Sequence, residues 1–303
     1  MRVSSNGMFD SNINRLNELQ AKLEKISQQV SSGRKLTSPS DDPSASGRVL
    51  DITQAQAINQ QYTNTRLYAK NSLSSVDGTL SNLTASLQSI HENVLAASNY
   101  ALSSNDRLAY ANVLQGERDN LLSLVNSTDS SGRYLLSGTK TNAPAFAKDS
   151  SGNLIYQYQG DIQQSLVQVD SGRTMATSVT ADSLFGSSGE FFNKLDAAIQ
   201  QLNDPQSSAD TVATSMKGLN EAFSTTLQNM INAQSSVGIR LQQLDEMDKS
   251  GESRDLQYSD ALSSLQDLDY NKALSDLTRQ QTILQAAQKT FAQLGNLSVF
   301  NYI

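Results

Sequence analysis

The sequence contains no cysteine and no tryptophan, and it has 1 histidine and 4 prolines among 303 residues. Without cysteine the chain cannot form disulfides, thiolate metal sites, iron–sulfur clusters or a cysteine nucleophile. The single histidine, His91, cannot supply an HExxH motif or a multi-histidine metal site. Charged residues make up 17% of the chain, below the roughly 25% usual in soluble domains. We therefore predict a protein that is not an enzyme, with no catalytic residue, metal site or cofactor.

Positive charge is also scarce, because 23 Lys and Arg stand against 30 Asp and Glu, which gives a net charge of -7. An acidic chain without a basic block is a poor partner for a phosphate backbone or for anionic lipid. The sequence has no apolar run long enough to span a bilayer, and its first residues lack the apolar segment of a secretory signal. We predict no nucleic-acid binding, no membrane insertion and no conventional signal peptide.

Heptad periodicity is the strongest pattern in the sequence. The apolar positions that follow a 3,4 spacing are Leu73, Val76, Leu80, Leu83, Leu87, Ile90, Val94, Ala97 and Ala101. This spacing of about 3.5 residues per turn is typical of a coiled-coil seam. Asp42 and Pro43 indicate the helix start, because Asp caps free amides and proline tolerates the first helical position. We predict one helix over about 43–101 and another, recapped by residues 103–106, that ends near residue 125.

Both chain ends and the C-terminal third carry similar stripes. In the C-terminal third, a capping box predicted at 207–210 precedes a stripe over 216–244, and Gly251 is predicted to mark a corner. The N-terminal stripe consists of Leu16, Leu19, Leu23, Ile26 and Val30. The C-terminal stripe consists of Leu277, Leu284, Phe291 and Leu294. No charged residue follows Lys289. Apolar stripes at chain ends need cover, so we predict that both stripes are buried in partners. Isolated helices are marginal in water, so we also predict that both ends are disordered in the monomer.

The middle of the chain differs in kind, because glycines and short alternating runs replace the heptads. The DSSGN stretch at 149–153 is typical of a turn between strands. We therefore predict a mainly α fold, with a long coiled-coil-like helical rod built from both chain halves and a small inserted β-rich domain. The predicted segments are an N-terminal assembly segment (1–42), the first half of the rod (43–126), the insert (127–189), the second half of the rod (190–264) and a C-terminal assembly helix (265–303).

Three motifs that could suggest chemistry have simpler interpretations. His91 lies beside the seam of a long helix, where we expect a solvated surface side chain. Asp41 and Asp42 precede a helix, whose N-terminus favours negative charge. The segment at 132–140 has the wrong glycine spacing for a phosphate-binding loop.

The chain ends resemble the flagellin superfamily. The residues that carry the resemblance are SSGRKL at 31–36 and DDP at 41–43 near the N-terminus, and the stretch from DY at 269–270 through ILQAA at 283–287 near the C-terminus. The start MRVS at 1–4 and the segment GRYLLSGT at 132–139 are more similar to the flagellin-like proteins of the hook–filament junction than to filament flagellin.

This resemblance implies a structural adaptor that joins the hook-associated ring to the flagellin filament outside the cell. It implies export by the flagellar type III system and assembly as a ring of copies of the chain. The implied partners are the neighbouring hook-associated junction protein, flagellin and a cytoplasmic export chaperone. The two terminal stripes are then the candidate assembly and chaperone interface. A short filament flagellin is the alternative, and a secreted enzyme on a coiled-coil stalk is a more remote one.

Overall fold

The computed structural model describes residues 2–148 and 156–296, and it describes side chains at residues 7, 9–147 and 156–293. The helices in these ranges are α1 (Arg2–Ser32), α2 (Pro43–Ala97), α3 (Ser104–Val125), α4 (Ala181–Phe185), α5 (Glu190–Asn203), α6 (Ala209–Gln266) and α7 (Tyr270–Asn296). The strands are β1 (Phe146–Lys148), β2 (Tyr156–Tyr158), β3 (Leu166–Asp170) and β4 (Arg173–Ala176). The predicted mainly α fold with a small β-rich insert is confirmed.

The chain forms two compact units. One unit combines residues 1–59 with residues 252–303, and the other consists of residues 60–251. The division into five segments predicted from the sequence differs from these two units, and it stays a prediction. Within the described ranges, none of the helices combines the length and the apolar character that crossing a membrane requires.

Helix α2 follows the heptad pattern and ends slightly earlier than predicted. It begins at Pro43, where the Ala45 amide donates to Asp42 Oδ1 at 2.9 Å. The heptad residues from Leu73 to Ala97 are buried, whereas Ala101 is exposed in the turn that follows. The helix ends at Ala97, and α3 begins after its own capping box between Ser103 and Asp106.

Helix α6 is longer than predicted, because it continues through Gly251 without a corner. A glycine inside a helix costs about 1 kcal/mol, too little to break a helix supported on both sides. Its N-terminal cap is Ser208, whose Oγ accepts from the Thr211 amide at 3.1 Å. The box predicted between Ser207 and Asp210 is therefore one residue out of register.

In the unit of residues 60–251, α2 and α6 run antiparallel. Lys70 pairs with Asp245 near one end, and His91 stacks on Phe223 further along, with ring centroids 4.0 Å apart. His91 is therefore half-buried against an aromatic ring, and the expectation of a solvated histidine is wrong. Sequence periodicity placed His91 beside the seam, but only the partner helix decides what covers that flank.

The insert contains two antiparallel hairpins, β1–β2 and β3–β4. The β1–β2 hairpin packs on α4 and α5 through aromatic side chains, because Phe146 contacts Phe185 and Phe192 and Tyr156 contacts Phe192. The β3–β4 hairpin is held to the long helices by Arg66, which donates to Val169 O, and by Arg240, which donates to Ala176 O. The turn predicted at 149–153 lies outside the described residues.

The segment at 132–139 holds the insert together. The Ala181 amide donates to Leu136 O at 2.8 Å, and the Asp161 amide donates to Ser137 O at 3.0 Å. Gly138 adopts a φ of 67°, and a Cβ at this position would lie 1.9 Å from Asp161 O. The second glycine of this segment is therefore required by a backbone crossing.

Candidate assembly surface

The two terminal helices form an antiparallel pair. The Phe9 and Phe291 rings meet at one end, with centroids 4.8 Å apart. At the other end the chain connections are hydrogen-bonded, because the Leu268 amide donates to Gly33 O at 3.1 Å and the Lys35 amide donates to Gln266 O at 2.6 Å. We call this arrangement of α1 and α7 the terminal pair.

The predicted stripes lie along the terminal pair. The half-buried residues among the predicted interface positions are Leu16, Leu19, Leu23, Ile26, Val30, Leu277, Leu284 and Phe291. Leu294 lies outside the residues whose side chains are described. In the described residues both segments are helices, Arg2–Ser32 and Tyr270–Asn296, and each stripe supplies the other with an apolar partner. Disorder of the two ends in the free monomer stays a prediction.

The terminal pair leaves apolar surface uncovered. Phe9 is 48% exposed, and on α7 Leu274 and Ile283 are 49% and 41% exposed. Two helices alone bury one seam, so apolar residues on the flanks of that seam remain in contact with water. Exposed apolar surface of this kind is typical of an association site.

The two end motifs meet where α1 and α7 are connected to α2 and α6. Gly33 ends α1 in a left-handed conformation, with a φ of 69°. The Tyr270 hydroxyl covers it so closely that a Cβ would lie 2.7 Å from Tyr270 Oη. Asp269 caps α7 by accepting from the Lys272 amide at 3.1 Å. The residues that resemble flagellin are therefore the ones that fix this junction.

Asp41 holds the α1–α2 loop to α1. Its carboxylate pairs with Lys25 Nζ at 2.7 Å and accepts from the Thr37 hydroxyl and from the Thr37 and Ser38 amides. The Lys25 ammonium, followed by these donors, holds the pKa of the Asp41 carboxyl well below its ordinary value of 3.8. A lowered pKa means that these contacts stabilise the loop above the ordinary pKa and are lost as the pH falls through the lowered value.

We expect the Asp41 carboxyl to titrate well below pH 3.8 and to move back toward that value in Lys25→Ala, because the largest stabilising contact is then gone. Carboxyl carbon chemical shifts followed by NMR measure this titration. Lys22→Ala is the matched control, since Lys22 pairs with Glu18 on α1 instead. Titration of wild-type Asp41 at the ordinary value would contradict the proposed loop contacts.

Buried arginines in the unit of residues 60–251 are paired with acidic side chains, as is typical of charges that stabilise a fold. Arg118 Nη1 lies 2.5 Å from Asp196 Oδ1, and both side chains are almost fully buried. Burial and the neighbouring Asp196 raise the pKa of Tyr156, so its hydroxyl stays neutral. Arg66, also buried, donates to Asp248 Oδ1 at 2.5 Å and to Thr63. In the part of the chain that the structure describes, no group of three or more acidic or histidine side chains could hold a metal.

Comparison with known proteins defines the class first. Residues 3–141 match the model of the bacterial flagellin N-terminal helical region. Residues 220–303 match the model of the bacterial flagellin C-terminal helical region. The two matches cover nearly all of the terminal pair, all of α2 and α3 and most of α6, and they leave the two hairpins unmatched.

Full-length relatives define the family. The chain is 34% identical, over 99% of its own length and 99% of theirs, to flagellar hook-associated protein 3 of Escherichia coli strain K12 and of Salmonella typhimurium strain LT2. The structure of a flagellar hook-associated protein from Vibrio parahaemolyticus is 30% identical, with a TM-score of 0.69, and covers 75% of this chain and 100% of that one. The chain belongs to the flagellar hook-associated protein 3 family.

A more distant structure has the same fold. The flagellar junction protein FlgL from Legionella pneumophila has a TM-score of 0.58 at 19% identity, and the match covers 74% of this chain and 100% of that one. The resemblance to flagellin-type proteins predicted from the sequence is confirmed.

Sequence reasoning missed two features of the site. It did not predict that α1 and α7 pair with each other, because apolar periodicity predicts that a face is buried but not which segment covers it. It also missed the Lys25–Asp41 contact, which joins residues 16 positions apart across a loop. The SSGRKL and DDP motifs do contain residues that matter here. Gly33 and Asp41 fix the loop between α1 and α2, a role that is visible only in the structure.

Proposed function

We propose that this protein is a structural adaptor of the bacterial flagellum that joins the hook-associated ring to the flagellin filament. The observation that supports it most directly is the terminal pair, which exposes apolar flanks in a chain of the hook-associated protein 3 family. An adaptor needs two surfaces for unlike neighbours, and an antiparallel helix pair offers one flank on each side of its seam. No catalytic chemistry is needed for this role.

We also propose that the terminal pair is where the chain associates. The stripe residues Leu16, Leu19, Leu23, Ile26 and Val30 of α1, with Leu277, Leu284, Phe291 and Leu294 of α7, form the candidate interface. Its proposed partners are copies of this chain in a ring, the neighbouring hook-associated junction protein and flagellin. A cytoplasmic chaperone is proposed to cover the C-terminal stripe before export by the flagellar type III system.

Deleting the gene tests the proposal. We expect cells that keep their hooks, lack filaments and release unassembled flagellin, because filament subunits then have no surface on which to start. Re-expression of the wild-type chain is expected to restore filaments. Normal filaments on the deletion strain would contradict the adaptor function.

Abundance separates the adaptor from a short filament flagellin. An adaptor is expected as a trace component that stays with the hook after shearing, whereas a flagellin would dominate the sheared filaments. Quantitative mass spectrometry of both fractions measures the ratio of this chain to the main filament protein. A dominant band in the filament fraction would support the flagellin alternative.

A further inference from the structure

A groove lies at the end of the unit of residues 60–251 where α2 turns into α3. Its volume is about 120 Å³, and its lining includes the apolar side chains of Leu102 in the turn and Val212 at the start of α6. Tyr100, which also lines the groove, is 66% exposed, and Arg107 of α3 completes the lining on the polar side. Tyrosine and arginine are enriched where proteins bind each other, so the groove has the composition of a protein contact.

Arg107 is half-buried in this groove, and its bonds within the described residues are to neutral groups. Its Nη1 donates to Ser207 O at 3.0 Å and its Nη2 donates to Ser104 Oγ at 3.4 Å, whereas its buried Nε has no acceptor among the described residues. The fully buried arginines of the same unit, Arg66 and Arg118, each pair with an aspartate. A charge that is partly removed from water needs a counter-ion, so the groove favours a carboxylate supplied by another molecule.

The carboxylates that border the groove stabilise the neighbouring helix ends and turns instead. Asp106 accepts from Ser103 as part of the cap of α3, and Asp204 accepts from the Gln206 amide at 2.9 Å. Asp210 lies in the first turn of α6, where negative charge is favourable. These charges repel an acidic partner at the rim, so a carboxylate gains only where it reaches the guanidinium inside the groove.

We propose that the groove takes a carboxylate side chain of the adjacent, unlike flagellar subunit, which pairs with Arg107 while apolar neighbours of that carboxylate cover Tyr100. A carboxylate can accept from Nε and Nη2 together, the bidentate geometry that arginine favours. The groove lies roughly 55 Å along α2 from residue 60, at about 1.5 Å per residue, so it is at one end of the helical rod. Copies within a ring lie side by side, so the end of the rod faces an unlike subunit, a step that rests on the proposed function.

Zero-length crosslinking of intact flagella with their hooks attached tests the contact. Carbodiimide joins a lysine amine to a carboxylate that touches it and leaves arginine unreacted, so the Arg107→Lys chain carries the probe and the wild-type chain is the blank. After digestion, mass spectrometry identifies the peptides joined to residue 107. We expect a peptide of a different flagellar protein, joined through Asp or Glu. Joined peptides from this chain alone, or none, would overturn the proposal.

Competition for incorporation tests the charge, and it decides the matter if Arg107→Lys does not assemble. When wild type and Arg107→Glu are co-expressed, flagella should contain about tenfold less of the variant, the change that 1.4 kcal/mol makes in an equilibrium constant. Arg173→Glu is the matched control, because Arg173 is exposed on β4 and also donates to a neutral group, Gln243 Oε1 at 3.0 Å. This control should be incorporated within about twofold of wild type, since surface changes shift stability little.

A neutral variant separates a lost contact from a lost fold. Arg107→Gln removes the charge but keeps an amide that can donate to Ser207 O, so its melting transition should match that of wild type while its incorporation still falls. Equal incorporation of Arg107→Gln and wild type would overturn the proposal, as would a loss seen only in variants that also melt earlier. Either result leaves the adaptor function standing, because the gene deletion tests that function separately.

Discussion

Replacing Leu284 and Phe291 together by aspartate is expected to abolish junction assembly and chaperone binding while residues 60–251 stay folded. Both side chains lie in the seam of the terminal pair, and the Phe291 ring contacts the Phe9 ring in a tilted arrangement. Loss of that aromatic contact removes about 0.5–1.5 kcal/mol beyond the area it buries. A carboxylate without a partner in an apolar seam adds a desolvation cost of several kcal/mol where it is fully buried.

The expected result has three measurable parts. Amide exchange in α1 and α7 of the variant should be fast, because neither helix is stable without its partner. The variant should fail to bind the export chaperone and should not support filament growth. The melting transition of the unit of residues 60–251 should not move, because its core lies in other residues.

The matched control adds the same charge to the exposed face of α7. Gln281→Asp with Gln288→Asp has the same spacing of seven residues, and both positions are exposed. This control should assemble normally. If the Leu284 and Phe291 variant still binds the chaperone and supports filaments, the stripe is not an interface. If the 60–251 unit unfolds with it, the stripe belongs to an ordinary core.

Replacing Asp196 by alanine is expected to destabilise the unit of residues 60–251 by about 3–5 kcal/mol, because it leaves the buried Arg118 charge without its buried partner. Asp196 is 2% exposed and Arg118 is 5% exposed, so water cannot replace the lost carboxylate. Tyr156 also lies beside this pair, so the β1–β2 hairpin should loosen with it.

Near-ultraviolet circular dichroism of the aromatic cluster during urea unfolding measures this loss. The chain has no tryptophan, so tyrosine and phenylalanine supply the signal. Asp119→Ala is the control, because Asp119 also pairs with Arg118 but is 58% exposed. An exposed ion pair of this kind contributes about 0–1 kcal/mol. Equal losses in the two variants would show that burial of the Arg118–Asp196 pair does not matter.

The sequence by itself determined the long heptad helices and the starts of α2 and α3. The heptad spacing from Leu73 to Ala97 specifies one buried face, because a 3.5-residue period can be satisfied only by a helix that packs along its length. Asp42 with Pro43, and Ser103 with Asp106, are local capping signals, and both work as predicted because capping depends on neighbouring residues alone.

Only the tertiary structure decided what each face meets. The aromatic pair at Phe191 and Phe192 was assigned by sequence to the second half of the rod, yet both rings pack with the insert. Likewise, His91 looked solvated until Phe223 of a distant helix covered it. Periodicity gives the angular position of a side chain on its helix, but the partner comes from residues more than a hundred positions away.

The same limit applied to the candidate site. The stripes of α1 and α7 were readable from the sequence, because apolar residues at seam spacing must be covered. Their pairing with each other could not be predicted from the sequence, since apolar spacing does not identify the helix that covers it. The antiparallel register, set by Gly33 against Leu268 and by Phe9 against Phe291, decides which residues of α1 face which residues of α7. That register exists only between two helices, so no single segment of sequence could show it.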